Sequence, residues 1–184
     1  GAGDGEVIFD GNGCFRLFDV MAADYNYFEG LTIRNTDVAF YSGQKEVLGN
    51  SGLVVRNCRI EDVGVAVMNE YAGSKNFYIA DNVILGRDDR NRIIGWSNWG
   101  KYKPTQLKSY YAIKVYGQGH VICHNYIAYF HDGVCLSTYG IPPDAQDQKA
   151  VAIDIYNNDI HLMIDDFVEA DGGVHNIRVA RNRG

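Results

Sequence analysis

The stretch Ile153-Asp154-Ile155-Tyr156-Asn157-Asn158-Asp159-Ile160 contains the pattern on which the fold prediction rests. Two apolar residues stand two positions apart, a polar turn with asparagine follows, and another apolar residue comes two positions after the asparagine. Residues 77–84 (FYIADNVI) and 120–127 (HVICHNYI) repeat this pattern with the asparagine in the same place. Alternation with a period of two is typical of β-strands, so the repeat predicts short strands joined by tight turns.

The pattern recurs along the chain at intervals of 22, 24, 43, 33 and 24 residues, which indicates one period near 23 with two insertions. Its central apolar residues are Ile33, Val55, Ile79, Ile122, Ile155 and Val179. Three positions after the last four of these stand Asn82, Asn125, Asn158 and Asn182. Stacked turns bring equivalent side chains within reach of one another, so we expect the amides to form a hydrogen-bonded ladder.

The Ile-x-x-Asn-x-Ile turn followed by a glycine turn resembles the right-handed parallel β-helix of the pectin-lyase-like superfamily, from about Glu6 to Arg183. The expected fold is all-β: a right-handed parallel β-helix, or solenoid, of about six coils, with three strands per coil, Asn-containing turns and two loop insertions. A β-propeller and a β-sandwich are the alternatives, but both lack this asparagine register. We predict one domain over residues 1–184, truncated at one or both ends, with insertions at about 86–110 and 138–149.

Composition excludes several functional classes. Hydrophobic residues make up 46% of the chain, which is enough for a core, and the net charge of −6 argues against a nucleic-acid-binding protein. No apolar run approaches the ~18 residues of a membrane-spanning helix. The cysteines, Cys14, Cys58, Cys123 and Cys135, form no Cys-x-x-Cys pair that would indicate zinc or redox chemistry.

The third strand of each coil is expected to carry the functional face, because in the superfamily that the chain resembles this strand and the turn before it form a carbohydrate groove. Lys114 and Tyr116 would point outward from one such strand, and Glu169 and Asp171 from another. Lys114 and Glu169 would lie two coils apart. Asp165 and Asp166 precede Glu169 and add two more carboxylates to the same corner.

Crowded carboxylates are unfavourable unless they share a proton or bind a cation, so Asp165 and Asp166 are predicted metal ligands and Ca²⁺ the candidate cofactor. The alternative is that they are ordinary solvated turn residues. A polysaccharide lyase needs a base beside a substrate carboxylate, and Lys114 or His131 could supply it. A glycoside hydrolase needs two carboxyl groups, which Glu169 and Asp171 could provide.

The first insertion carries residues suited to sugar binding. Trp96 and Trp99 could stack on sugar rings and Arg92 could bind a carboxylate, so these residues and Tyr116 are the predicted substrate-binding set. The alternative is a long loop with a small core of its own under the two tryptophans. His120 occupies an apolar position and is predicted to be a hydrogen-bonded core histidine.

The predicted function is that of a carbohydrate-active protein, a polysaccharide lyase or glycoside hydrolase acting on an acidic polysaccharide, located outside the cell or in the periplasm. The alternative is a non-catalytic segment of a larger surface protein that binds glycans or serves a structural role. The expected partner is a polysaccharide, with no nucleic acid and no membrane span. Uncapped coils would also allow end-to-end self-association.

Overall fold

The computed structural model of the protein describes residues 5–89, 94–95, 108–136 and 142–184. These residues form β-strands and almost no helix, so the all-β part of the prediction is correct. The strands are β1 (Val7–Asp19), β2 (Tyr27–Glu29), β3 (Leu31–Gln44), β4 (Leu48–Gly49), β5 (Val54–Arg56), β6 (Arg59–Asn69), β7 (Tyr78–Ala80), β8 (Val83–Gly86), β9 (Asp88–Asp89), β10 (Ile94–Gly95), β11 (Tyr111–Val115), β12 (Val121–Cys123), β13 (Tyr126–Phe130), β14 (Asp132–Cys135), β15 (Ala150–Tyr156), β16 (Asp159–Met163), β17 (Val168–Glu169) and β18 (Gly173–Ala180). One 3-10 helix spans Gln146–Gln148.

The strands divide between two parallel sheets. The larger sheet has ten strands, in which β16, β13, β8, β6, β11, β14 and β17 follow one another, β3 pairs with β6, β1 pairs with β3, and β4 adds the one antiparallel pairing. The smaller sheet has six strands in the order β18, β15, β12, β7, β5 and β2. A short antiparallel pair, β9 with β10, stands apart from both sheets.

The predicted solenoid of about six coils with three strands per coil is wrong. The strands belong to two sheets, and the larger sheet curls into a half-barrel. The reason lies in strands such as β6, which runs unbroken through the point where a turn was expected. Its pairing with β8 shifts register between Glu61 and Val63, and Asp62 between them has a left-handed φ of 54°. A β-bulge of this kind bends a strand without ending it.

The predicted row of central apolar residues is correct in five of its six members. Phe28, Val55, Ile79, Ile122, Ile155 and Val179 stand in register across the smaller sheet. The sixth prediction, Ile33, lies instead in the larger sheet and pairs with Ile60. The stretch around Ile33 alternates in the same way as the others, so alternation alone could not separate the two rows.

The asparagine ladder is confirmed. The side chain of Asn82 donates a hydrogen bond to that of Asn125 at 2.9 Å, Asn125 to Asn158 at 3.0 Å, and Asn158 to Asn182 at 2.9 Å. Each amide also donates to a backbone carbonyl, as Asn125 does to Ile79 at 3.0 Å. The ladder therefore satisfies buried polar groups at the corner where the smaller sheet leads into the larger one.

The residue before each ladder asparagine, and before the equivalent Leu31 and Cys58, adopts a left-handed backbone conformation, which lets the chain turn sharply between the sheets. The members of this series are Gly30, Asn57, Asp81, His124, Asn157 and Arg181, with φ between 49° and 67°. A second left-handed series lies two residues before the earlier strands of the smaller sheet and inside its last two strands, as at Ala152 in β15 with a φ of 55°.

The core lies between the two sheets and contains one polar ring. Phe40 packs against Phe18 and Phe28, with ring centroids 5.3 and 4.8 Å apart. His120 is fully buried, accepts a hydrogen bond from the backbone N–H of Phe77 at 3.1 Å and contacts the carbonyl of Tyr116 at 3.0 Å. The predicted core histidine is therefore confirmed, and burial lowers its pKa to about 4.

In the described part of the chain, no helix has the length and apolar character that crossing a bilayer would require. The four cysteines form no disulfide there.

Candidate functional site

The outer surface of the larger sheet carries a row of chemically different side chains in register. Met68 on β6, Lys114 on β11, Cys135 on β14 and Glu169 on β17 are aligned across adjacent parallel strands. The predicted alignment of Lys114 with Glu169 is confirmed, and two strand spacings put their Cα atoms about 10 Å apart. On β6 the residue that pairs with Lys114 is Met68.

Lys114 is held by three neighbours. Its Nζ donates a hydrogen bond to Oε1 of Glu70 at 2.7 Å. It also lies 4.6 Å from the ring centroid of Tyr111 and 5.6 Å from that of Tyr116, within the range of cation–π attraction. The strand β11 positions all three of Tyr111, Lys114 and Tyr116, since it ends one residue before Tyr116.

These neighbours keep Lys114 charged. Burial lowers its pKa, but the hydrogen bond and the charge of Glu70 outweigh burial, and the net effect is a raised pKa. A lysine with a raised pKa stays an ammonium ion at neutral pH and is poorly suited to remove a proton. It is well suited to bind an anion or to stabilise negative charge.

Glu70 also lines a cleft of about 250 Å³ beside this lysine. Other lining residues are Lys45, Glu46, Tyr71, Ala72, Gly73, Tyr116, Gly117, Pro143, Gln148 and Ala150. Two tyrosines, two acids and one lysine therefore surround a space slightly below the ~300–1,000 Å³ of typical ligand pockets. A cleft of this size accommodates a small ligand or one unit of a polymer.

The wall of the cleft is fixed by a buried asparagine. Asn69 donates to the carbonyl of Tyr116 at 2.8 Å, and its Oδ1 accepts a hydrogen bond from the hydroxyl of Ser74 at 3.0 Å. The backbone N–H of Tyr71 donates to the same oxygen at 3.3 Å. Asn69 thus connects the end of β11 to the turn that carries Glu70 and Tyr71.

Glu169 lies at the other end of the outer row and is nearly fully buried, with 6% of its surface exposed. Its Oε2 has no hydrogen-bond partner among the described residues. Buried carboxyl oxygens are normally satisfied, so this atom marks Glu169 as a candidate functional acid. Burial raises the pKa of Tyr111 to about 12, and the negative charge of Glu169 acts in the same direction. The same two causes raise the pKa of Tyr116.

A second group of acids, which we call the acid corner, comprises His131, Asp132, Asp165, Asp166 and Asp171. Nδ1 of His131 lies 3.1 Å from Oδ2 of Asp132, and the backbone N–H of Asp166 donates to Oδ1 of Asp132 at 3.2 Å. One potential ligand atom each from His131, Asp132 and Asp165 lies within 4.8 Å of the other two. Burial, and then the charges of Asp165, Asp132 and Asp171, raise the pKa of Asp166.

The predicted site residues that the structure describes fall into two neighbouring groups. Lys114, Tyr116 and Glu169 belong to the outer row and its cleft, whereas His131, Asp165, Asp166 and Asp171 belong to the acid corner. Asp132 joins the two, because it pairs with Tyr111 across the larger sheet. The predicted substrate-binding residues Arg92, Trp96 and Trp99 lie outside the described residues.

Several residues around the cleft were missed by the sequence interpretation. Glu70 and Tyr71 stand two and three residues after the apolar run Val65-Ala66-Val67-Met68, so a strand extended three residues beyond that run would have indicated both. The second insertion was assigned no chemistry, yet Pro143 and Gln148 from it line the cleft. Gln118 holds this segment in place through a hydrogen bond to the carbonyl of Gln146 at 2.7 Å.

Comparison of the chain with models of known protein families, with curated proteins and with solved structures finds no match, and nothing in them identifies the pectin-lyase-like superfamily. The function is therefore inferred from the geometry of this site alone.

Proposed function

We propose that this protein is carbohydrate-active and cleaves an acidic polysaccharide bound on the outer face of its larger sheet. One sugar unit would occupy the cleft beside Glu70, and the chain of the polymer would pass over Lys114 toward the acid corner. The observation that carries the proposal is the lysine, Lys114, that is held as an ammonium ion by Glu70 and two tyrosine rings beside a cleft that Glu70 and Tyr116 line.

The side chains match the chemistry of an acidic sugar. Tyrosine rings such as those of Tyr71 and Tyr116 stack on the apolar faces of sugars. Ammonium groups bind the carboxylate of a uronic acid, and Lys45 in the cleft and Lys114 beside it are the two candidates. The burial of Lys114 strengthens this attraction, since charges interact more strongly away from water.

Of the two reactions, β-elimination by a lyase fits the arrangement better than hydrolysis. In this reaction a base removes the proton on the carbon beside the carboxylate, a carbon–carbon double bond forms, and the glycosidic oxygen leaves and takes up a proton. His131 is the better candidate base, because Asp132 lies 3.1 Å from its ring and can orient it. Lys114 would stabilise the negative charge that develops on the substrate.

Calcium is the proposed cofactor, with Asp165 and Asp166 as ligands and Asp132 as a third carboxylate. Carboxylate oxygens are the usual ligands of Ca²⁺, and the acid corner supplies several of them. A cation there would relieve the repulsion among these acids and neutralise the carboxylate of a neighbouring sugar.

The test is an assay on a panel of uronic-acid polymers, with calcium and with a chelator. Ultraviolet absorbance of the unsaturated product reports elimination, and new reducing ends report hydrolysis. We expect calcium-dependent elimination that Lys114→Met and His131→Gln lower by at least about tenfold, the effect of ~1.4 kcal/mol in the transition state. Arg59→Met removes an exposed ion pair with Glu61 on the same sheet and is the matched control.

The possible outcomes separate the alternatives. Reducing ends without ultraviolet absorbance would assign a hydrolase. Binding of a polymer without cleavage would support the non-catalytic, glycan-binding function. Neither binding nor cleavage of any polymer would contradict the proposal.

A polysaccharide substrate also implies a location outside the cell or in the periplasm, which remains part of the proposal. End-to-end self-association of the chain likewise remains part of the proposal.

A further inference from the structure

We propose that the outer face of the smaller sheet is a second polysaccharide-binding site, built on a stripe of three tyrosines, Tyr27, Tyr78 and Tyr156. The ligand is an extended polysaccharide that carries carboxylates on some of its sugars. This site goes beyond the proposed cleavage on the larger sheet, and it uses neither Lys114 nor the acid corner. It would hold the polymer, whereas the reaction would take place on the other sheet.

The register of the smaller sheet places the three tyrosines on one face. Tyr27 on β2 and Tyr78 on β7 stand in one row across the sheet. Tyr156 on β15 stands two residues after Asp154, which continues the same row. Residues two apart on a strand share a face, and Ile79, next to Tyr78, is fully buried in the core. The tyrosines therefore point away from the core.

Two of the rings lean over the sheet instead of standing away from it. The thiol of Cys123 on β12 donates a hydrogen bond to the hydroxyl of Tyr78 at 4.0 Å, and a second hydrogen bond joins this thiol to the hydroxyl of Tyr156. A cysteine is much shorter than a tyrosine, so both rings must incline toward β12 to reach the sulfur. Accordingly, none of the surface of Cys123 is exposed, although its side chain lies on the outer face.

The ring of Tyr27 is tethered in a similar way. Its hydroxyl donates a hydrogen bond at 2.9 Å to Oε2 of Glu29, two residues further along the same strand. Tyr27 is 56% exposed, and Tyr78 and Tyr156 are half-buried. A ring held by its hydroxyl loses little conformational freedom when a ligand stacks on it, which favours binding.

The stripe is long enough for several sugar units. Tyr27 and Tyr156 are four strand spacings apart and displaced by two residues along the strands, which puts their Cα atoms about 20 Å apart. Tyr78 lies between them. An extended polysaccharide of several units can therefore contact all three rings, and the apolar faces of sugars stack on aromatic rings.

Most charges of this face pair with one another. Arg56 lies 3.4 Å from Glu29 and 4.0 Å from Asp81. The guanidinium of Arg178 donates to both carboxylate oxygens of Asp154. Nucleic acids carry a phosphate on every nucleotide and require many unpaired cations, so this face favours a polymer with fewer charges.

Arg181 supplies the charge complementarity for such a polymer. It lines a shallow depression of about 340 Å³ together with Tyr156 and the Asp154–Arg178 pair. Its side chain is exposed and forms no ion pair within the described part of the chain. A guanidinium binds a carboxylate through two parallel hydrogen bonds, so a uronic acid stacked on Tyr156 would bind Arg181.

Electrophoresis in native gels that contain hyaluronan or polygalacturonate tests the stripe, because a bound polymer retards the protein. Lys114→Met together with a chelator removes the contribution of the larger sheet. We expect retardation to persist under these conditions. Tyr27→Ala and Tyr156→Ala, each added to Lys114→Met, should raise the dissociation constant at least about fivefold through the loss of stacking.

Tyr126→Ala is the matched control, because Tyr126 is a 41% exposed tyrosine on β13 of the larger sheet. It should leave retardation unchanged. Tyr156→Phe keeps the ring and should weaken binding less than Tyr156→Ala. Tyr27 is largely exposed on an edge strand, so its replacement should not disturb folding, and thermal unfolding of each variant checks this.

Arg181→Asn tests the charge. Asparagine tolerates the left-handed φ of 57° at this position and carries no charge. We expect weaker retardation by polygalacturonate and no change with hydroxyethyl cellulose, a neutral polymer. An equal change with both polymers would overturn the assigned role of Arg181.

The remaining outcomes are decisive. Equal retardation of the Tyr27→Ala, Tyr156→Ala and Tyr126→Ala variants, or none after Lys114→Met, would overturn the site. Stronger retardation by single-stranded DNA than by every polysaccharide would overturn the assigned ligand. A chain that cleaves polymers but loses all binding with Lys114→Met contradicts only this inference, whereas a chain that binds through the stripe and cleaves nothing contradicts only the proposed cleavage.

Discussion

At the scale of single residues, His120 couples folding to pH. Its pKa is lowered from 6.5 to about 4 by burial, so the folded chain holds the ring neutral. The stabilisation is complete above pH 6.5 and is lost as the pH falls toward 4, because the unfolded chain binds the proton more tightly. We expect the free energy of unfolding to fall by about 3 kcal/mol across this range.

Denaturant unfolding at a series of pH values measures this effect. His120→Gln should flatten the dependence on pH, and His175→Gln, at an exposed position, should leave it unchanged. An identical pH dependence in the His120 variant would show that other groups cause it.

Ala152 is a second residue whose environment predicts an effect. It has a φ of 55° although it carries a Cβ atom, and its side chain is exposed. Glycine adopts this conformation without strain, so we expect Ala152→Gly to raise the free energy of unfolding by about 0.5–1 kcal/mol. Ala180→Gly, in an extended and exposed position of β18, should lower it instead, and chemical denaturation of both variants measures the difference.

At the scale of structural elements, the asparagine ladder joins successive repeats at the corner between the two sheets. Asn125 occupies the middle: it donates to Asn158 and to the carbonyl of Ile79, and it accepts from Asn82. Asn125→Ala would leave several buried groups without partners, each worth about 1–3 kcal/mol. We expect a loss of at least about 3 kcal/mol, measured by denaturant unfolding. Asn182→Ala, at the less buried end of the ladder, should lose clearly less, and equal losses would contradict this account.

Arg87, at the start of the first insertion, connects β3 to the end of that insertion. Its guanidinium donates to the carbonyls of Thr36 at 2.9 Å and Lys108 at 2.8 Å, and it lies 3.4 Å from Asp37 and 3.3 Å from Asp62. The side chain is 6% exposed, so β3 and both ends of the first insertion depend on one buried cation.

Lysine cannot reproduce this set of hydrogen bonds, and we expect Arg87→Lys to cost about 2–4 kcal/mol in unfolding experiments. Arg178→Lys changes an exposed ion pair with Asp154 and should cost less than about 1 kcal/mol. A similar cost for both substitutions would mean that burial of Arg87 contributes little.

At the scale of the whole molecule, burial predicts a gradient of local stability. Ile79 on β7 and Ile122 on β12 are fully buried at the centre of the smaller sheet, whereas β18 is exposed along most of its length. Amide hydrogen exchange should therefore be slowest in β7 and β12 and fastest in β1 and β18.

The sequence predicted the features that repeat and failed on those that do not. The asparagines were recognisable because a buried amide ladder needs the same residue at the same point of every repeat. Ile33 was placed in the wrong row because two rows of the molecule, those of Phe28 and Ile33, are equally apolar. The curl of the larger sheet depends on bulges such as that at Asp62, which no residue type reveals.

The candidate site was predictable to a similar degree. Lys114 and Glu169 were found because they occupy outward positions of the repeated strand. The partner of Lys114, Glu70, lies 44 residues earlier in the chain, and a contact over that separation leaves no local pattern. Asp132 likewise became a central member of the acid corner only through the pairing of β14 with β11.

The amide-to-amide hydrogen bonds of the asparagine ladder all point the same way, whereas the bonds from these amides to backbone carbonyls point back to the preceding repeat. Each side-chain amide donates to the next asparagine along the chain, from Asn82 to Asn182. At the start of the series, the backbone N–H of Cys58 donates to Oδ1 of Asn82 at 2.9 Å. The dipoles of these amide-to-amide bonds therefore add, and the positive end of the resulting dipole lies at Asn182. A group that approaches Asn182 from outside the series must therefore offer an acceptor, whereas the carbonyl oxygen of Asn82 at the other end already has its donor in Cys58.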